Sequence, residues 1–267
     1  MLVNTREVRH AIESDAIVPC FQPLVDLRSM RLTGFEVLTR WRHPSLGLIL
    51  PSNFIQLAEE LGIIGILTRE ILRKAFRSAA TIPGHFTLAV NVSPIQLRYR
   101  SLPTQIGEAA ENAGLPLDRL VMEITETAIL ENENQALAIA EEIKTMGCQL
   151  AIDDFGTGYA SLRHLMALPF DQIKVDRSFV QQMTVRPASR KIVAAVVGLG
   201  HSLGLTTLAE GVEMKEQESL LLQMGCSLAQ GWLYGRPLTA DQIPLLLGAT
   251  PHTATRHPLA RLLGTSA

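Results

Sequence analysis

Along this chain, apolar runs of strand length stop again and again on side chains able to hold a metal ion or to move a proton. The run ends carry Glu36, Asn91, Glu123, Asp153 with Asp154, Lys174 with Asp176, Glu210 with Glu213, and Gln230. A carboxylate at the end of a buried run is costly unless it is paired, hydrogen-bonded or bound to a metal. Any one of these acids, taken alone, reads equally well as a solvated loop residue. Their repetition at successive run ends is what carries meaning. Carboxylates that meet in space repel one another, and divalent cations are the simplest charge that holds them together. Oxygen donors of this kind suit Mg²⁺ or Mn²⁺.

The elements that must position these residues alternate in type. Residues 18–27 and 31–41 read as strands joined by a very short turn at Ser29 and Met30. Parallel neighbours need a crossover of a dozen or more residues, so this pair is expected to be antiparallel. Helices are expected from Pro51 and Ser52 through residue 62, and over 65–80. Strands at 86–92, 119–125, 148–155, 171–175 and 205–209 then alternate with helices reaching 113 and covering 132–146, 161–167, 188–203 and 215–224. The segment 227–234 and a last helix at 240–247 follow. About eight strands, with helices between the later ones, is the rhythm of an α/β fold of the (β/α)8 TIM-barrel kind. The expected form is a modified TIM barrel whose first strand runs antiparallel to the others. In such a barrel the strand ends gather on one face. Residues 1–248 are expected to form one domain, and 249–267 a partly disordered tail that loses the rhythm.

Composition narrows the possible ligands. The 267 residues are 47% hydrophobic, enough for a single large core. With 24 basic and 26 acidic residues the formal net charge is -2, so no global field favours a nucleic-acid polymer or an anionic membrane. An anionic ligand must be held by local groups or by metal ions. Cys20, Cys148 and Cys226 form no CxxC pair and read as reduced thiols of a cytoplasmic protein. Neither a secretory leader nor a membrane-spanning run is visible. Three short lookalikes fall away. Asp154-Phe155-Gly156 matches a kinase triplet without its partner loops, Asn91-Val92-Ser93 is a sequon followed by Pro94, and His43, His164 and His201 lack metal-ligand spacing.

The wording of the run ends is more specific. Phe21-Gln22-Pro23-Leu24-Val25-Asp26, Glu36-Val37-Leu38-Thr39-Arg40-Trp41-Arg42-His43-Pro44, Asn91-Val92-Ser93-Pro94 and Glu123-Ile124-Thr125-Glu126 occur in that order. Asp153-Asp154-Phe155-Gly156-Thr157-Gly158-Tyr159, Lys174-Val175-Asp176-Arg177-Ser178-Phe179, Ala209-Glu210-Gly211-Val212-Glu213 and Gln230-Gly231-Trp232 follow. In this ordered set the chain resembles the EAL-domain phosphodiesterases of the bacterial second messenger cyclic di-GMP.

The resemblance implies hydrolysis of cyclic di-GMP to linear pGpG with two divalent cations, Mg²⁺ or Mn²⁺, and inhibition by Ca²⁺. It assigns one cation to Glu36, Asn91, Glu123 and Asp153. The second falls to Asp153 and Asp154, with Glu210 acting directly or through water. Either Glu210 or Lys174 is the base, and Glu213 and Gln230 position waters or ligands. Gln22, Arg40, Asp176 and Pro237 correspond to substrate-binding positions. Glu126 anchors the loop containing Phe155, Gly156, Thr157 and Gly158, which couples a homodimer to metal binding. The implied setting is the bacterial cytoplasm, without membrane contact from this chain, and the family is often fused to sensory or GGDEF domains. One departure lies in the eponymous motif, which reads Glu36-Val37-Leu38. Val37 alternates to the face opposite Glu36, so the swap touches packing and spares the chemistry. Two alternatives stay open, a receptor that binds cyclic di-GMP without hydrolysing it and an EAL domain that serves protein interaction. The receptor typically loses metal-binding or base residues, and none is visibly missing here; the interaction domain would not need Arg40 or the full acid set.

Overall fold

The computed structural model describes residues 3–125, 128, 133–156 and 162–248. The roles expected of Glu126, Thr157, Gly158 and the tail 249–267 lie outside them.

Strand β1 (Ile17–Asp26) is reversed into β2 (Leu32–His43) by a tight turn. Asp26 accepts a 2.7 Å hydrogen bond from the Ser29 backbone, and Met30 takes a left-handed φ of 56°. The two strands return antiparallel, with Gln22 opposite Glu36. The rest of the sheet is β4 (Thr87–Val92), β5 (Leu120–Thr125), β6 (Gln149–Phe155), β7 (Gln172–Val175), β8 (Thr206–Ala209) and β9 (Leu228–Gln230). From β2 through β9 these pair in parallel, and β9 closes on β1 antiparallel. Eight strands therefore close a barrel with the first one reversed, as expected. β3 (Gly47–Ile49) only lengthens the end of β2. It is too short to show a period of its own.

The helices wrap the barrel through apolar stripes. In Ile64–Ala80 the buried positions Ile64, Leu67, Ile71, Leu72, Ala75 and Ala79 recur at helical spacing and face the sheet. Three local differences from the sequence expectation have simple causes. A helix at Thr5–Glu13 opens the described chain, started by an Asn4 and Glu7 capping box that the charged first residues had obscured. The helix expected from Pro51 is broken, because Phe54 at φ -142° separates a 3₁₀ turn from Ile55–Glu60. A further helix, Arg177–Gln182, starts on Asp176 as its N-cap. Among the described residues, no helix is long and apolar enough to cross a membrane.

Inside the barrel lies a small apolar plug of Leu24, Ala89, Val121, Ala151 and Leu208, with Leu228 packed against it. Val37 sits instead in the larger core outside the barrel wall, as its alternation with Glu36 predicted. The plug is the floor on which the site is built.

Candidate active site

Each plug residue is followed toward the open face by a polar one. Asn91, Glu123, Asp153, Glu210 and Gln230 come two residues after Ala89, Val121, Ala151, Leu208 and Leu228, and Gln22 comes two before Leu24 on the reversed strand. A strand repeats its face every two residues, so this set forms the next interior layer up. Glu36 is in register with Ala89, and Lys174 with Leu208, so β2 and β7 add these two side chains beside that set.

The layer is tied together side chain to side chain. Glu36 accepts from Asn91 Nδ2 at 2.9 Å and from Gln230 Nε2 at 2.5 Å. Lys174 is fully buried, its Nζ lying 2.8 Å from Glu123 Oε2, 2.8 Å from Glu210 Oε1 and 3.1 Å from Asp153 Oδ1. Simple alternation would turn Asp154 away from Asp153. Instead the β6–β7 register breaks between Ile152 and Phe155, and Asp154 adopts φ 55° in the left-handed region. Strain of this kind gathers at functional sites. The consecutive aspartates converge, and carboxylate oxygens of Asp153, Asp154 and Glu210 lie within 4.8 Å of one another.

Five carboxylates thus share one ammonium. Burial, then repulsion from Asp153 and Glu36, pushes the Glu210 carboxyl up to about 8 against the pull of Lys174. Burial, then Asp153 and Asp176, raises Asp154 to about 6. Glu123 is driven well above the carboxylate range, first by burial, with Lys174 opposing and Glu36 and Asp153 adding. Burial pulls Lys174 down, yet Asp153, Glu123, Glu210 and Glu36 together carry it well above its ordinary value, so it stays charged. Glu210 and Glu123 therefore hold their protons near neutral pH unless further positive charge arrives, whereas Asp154 is largely ionised there. Gln230 Oε1 adds a buried acceptor with no hydrogen-bond partner. Hard, clustered oxygens short of positive charge fit divalent cations.

The remaining expected residues are placed unequally. Half-buried Gln22 faces Glu36 across the hairpin, and half-buried Arg40 donates from Nη1 to the Thr39 carbonyl at 2.9 Å. Asp176 accepts from Ser178 N at 2.9 Å and from the Ser178 hydroxyl, and it also hydrogen-bonds Asp154. Glu213 is exposed, paired with Gln181 Nε2 at 2.9 Å, and stands outside the cluster. Pro237 lies in the turn after β9, where Leu238 bridges back to Phe21. Phe155 is buried, and Gly156, at φ 96°, lies beside Phe179.

The sequence pattern missed a cavity of about 440 Å³ beside Asn91, walled by Leu38, Ile55, Ile64 and Leu67 and carrying Glu59. Glu59 accepts a short hydrogen bond from Ser93. On an amphipathic helix such an acid reads as solvent-facing, and no local signal marks it.

A family model for the EAL domain matches residues 5–237. The chain belongs to the EAL family. This EAL domain is 44% identical over 240 residues to the uncharacterized protein y4lL of Sinorhizobium fredii, covering 90% of this chain and 29% of that protein. It is 38% identical to the cyclic di-GMP phosphodiesterase RocR of Pseudomonas aeruginosa, covering 89% of this chain and 61% of RocR. The chain thus spans less than two thirds of the length of either relative. The PaMucR phosphodiesterase solved as a c-di-GMP complex has the same fold at a TM-score of 0.86 and 36% identity, over 89% of this chain and 98% of that one.

Proposed function

We propose that this EAL domain hydrolyses cyclic di-GMP to linear pGpG and requires two divalent cations, Mg²⁺ or Mn²⁺. The observation that carries this reading is the convergence of Glu36, Asn91, Glu123, Asp153, Asp154 and Glu210 about one buried lysine on the open face of the barrel. In this reading Glu36, Asn91, Glu123 and Asp153 hold one cation, and Asp153 and Asp154, with Glu210, hold the other. Bound there, the cations supply Lewis acidity that makes water a stronger nucleophile and offsets charge on the phosphoryl oxygens.

The chain's own groups divide the remaining work. Glu210, ionised once the added positive charge of the cations offsets its crowding, would accept the proton of the attacking water. Lys174 is disfavoured as the base, because an ammonium locked among three carboxylates has no free site for a proton. It acts as the standing countercharge that keeps Glu123, Asp153 and Glu210 together. Arg40 presents a forked donor to a phosphate oxygen, and the cavity beside Asn91 receives one base between apolar walls. Water adds to one phosphorus as that phosphorus loses its bond to one ribose oxygen. The ribose oxygen takes up a proton from solvent to become a hydroxyl, and the second phosphodiester survives in pGpG.

The test is incubation with cyclic di-GMP and either Mg²⁺ or Mn²⁺, followed by nucleotide chromatography. The expected product is pGpG, with Ca²⁺ supporting binding and no turnover. Bound but intact nucleotide with both Mg²⁺ and Mn²⁺ would make the domain a receptor. Absence of binding under all three cations would remove both readings.

A further inference from the structure

The turn after β9 presents a feature that the hydrolytic reading does not use. Trp232 is 57% exposed, whereas the other tryptophan, Trp41, is buried. The Arg236 guanidinium stacks on the Trp232 ring, 4.4 Å from its centroid. An indole left in water beside a cation is a stacking surface with one face already organised.

The turn that carries this pair is rigid and borders the site. Gly231 lies so close to β8's outgoing chain that a Cβ there would fall 2.1 Å from the Val212 carbonyl oxygen. Leu233 N donates to that same carbonyl at 3.0 Å, and Tyr234 and Gly235 both donate back to Gly231 O. Tyr234 is fully buried beneath the turn, and Gly235 lies against Pro23. The turn ends where Leu238 and Phe21 exchange backbone hydrogen bonds of 2.7 and 2.9 Å. It therefore starts at Gln230, which touches Glu36, and finishes beside Gln22. The turn that carries Trp232 thus runs between these two residues, whereas the apolar cavity opens next to Asn91, off β4.

We propose that Trp232, with Arg236 behind it, is a stacking platform for the second purine of the dinucleotide, the base that does not enter the cavity beside Asn91. This rests on the cyclic di-GMP reading above. A substrate with two bases and a central phosphate ring spans the acid layer, so it needs a hold on each side of that layer. A flat aromatic face suits a base because stacking needs no particular donor pattern. The stacked guanidinium adds donors suited to the O6 and N7 edge of guanine.

The test compares wild type, Trp232→Ala and Trp232→Phe, loaded with Mn²⁺, on cyclic di-GMP and on bis(p-nitrophenyl) phosphate, a phosphodiester without purines. Trp232→Ala should raise KM for cyclic di-GMP about tenfold with a much smaller change in kcat. Trp232→Phe should recover most of that loss, and the purine-free diester should be far less affected. An unchanged KM for cyclic di-GMP overturns the platform, as does an equal loss on both substrates. A second readout does not need turnover. With Ca²⁺, cyclic di-GMP should quench tryptophan fluorescence in wild type and not in Trp232→Phe. Quenching with Ca²⁺ combined with no hydrolysis under Mn²⁺ would defeat the catalytic reading and leave the platform standing. Binding with Ca²⁺ but without quenching would overturn the platform and leave the catalytic reading untouched.

Discussion

The plug and the acid layer are built on the same strands, two residues apart, and they obey opposite rules. In the plug, Leu24, Ala89, Val121, Ala151 and Leu208 are held by removal of apolar surface from water, at roughly 25 cal/mol per Å². One pleat step higher, Asn91, Glu123, Asp153 and Glu210 occupy equivalent positions and gain nothing from burial. They are held by Lys174, by hydrogen bonds to Glu36, and in the proposed reading by cations. The lower layer contributes stability that lets the upper one stay electrostatically frustrated. Substitutions in the two layers should therefore separate activity from folding.

The sharpest separation should come from Glu210→Ala. Turnover of cyclic di-GMP should fall about a thousandfold or more, the scale of a lost general base. The melting temperature in metal-free buffer should hold or rise, because a crowded carboxylate has gone. Parallel loss of both in calorimetry and turnover assays would mean that the layers are not separable. Lys174→Met should do the opposite in metal-free protein, costing about 3–5 kcal/mol in denaturant melts by leaving buried carboxylates without their cation. Saturating Mn²⁺ should recover much of that loss, and a melt indifferent to Mn²⁺ would remove the case for cations in this layer. In the plug, Leu208→Ala should cost about 2–5 kcal/mol by opening a cavity. Turnover per folded molecule should stay within about threefold, the smallest catalytic effect of the set. A collapse of kcat in the folded fraction would show that the floor also positions the acids.

How much of this was legible in the chain depends on the range of the cause. Strand order and the reversed first strand were readable because the turn at Ser29 and Met30 is too short for a crossover. The acid layer was readable because period-two alternation acts within each strand. Asp154 was named by its place at a run end and by the resemblance, but its route to the site was not readable, since alternation points it away from Asp153 and only a left-handed φ with a register break brings the two together. Glu213, expected to position waters or ligands, lies three residues along a loop from Glu210 and is turned outward to Gln181. Asp176 carries a helix-capping role that its motif did not advertise. The cavity walls come from β2, β4 and two helices, so no stretch of sequence contains them.

The reversed first strand also decides from which side the chain reaches the barrel. In an all-parallel barrel the first strand starts at the floor, far from the chemistry. Here Ile17 is level with Trp41, near the end of β2, so the chain arrives on the reaction face. The helix Thr5–Glu13 stands at that entrance and packs on Ile55–Glu60, the helix bearing Glu59. One helix thus separates Thr5 from the wall of the cavity beside Asn91. Strand direction, a property of topology alone, brings the start of the barrel to the face that carries the acid layer.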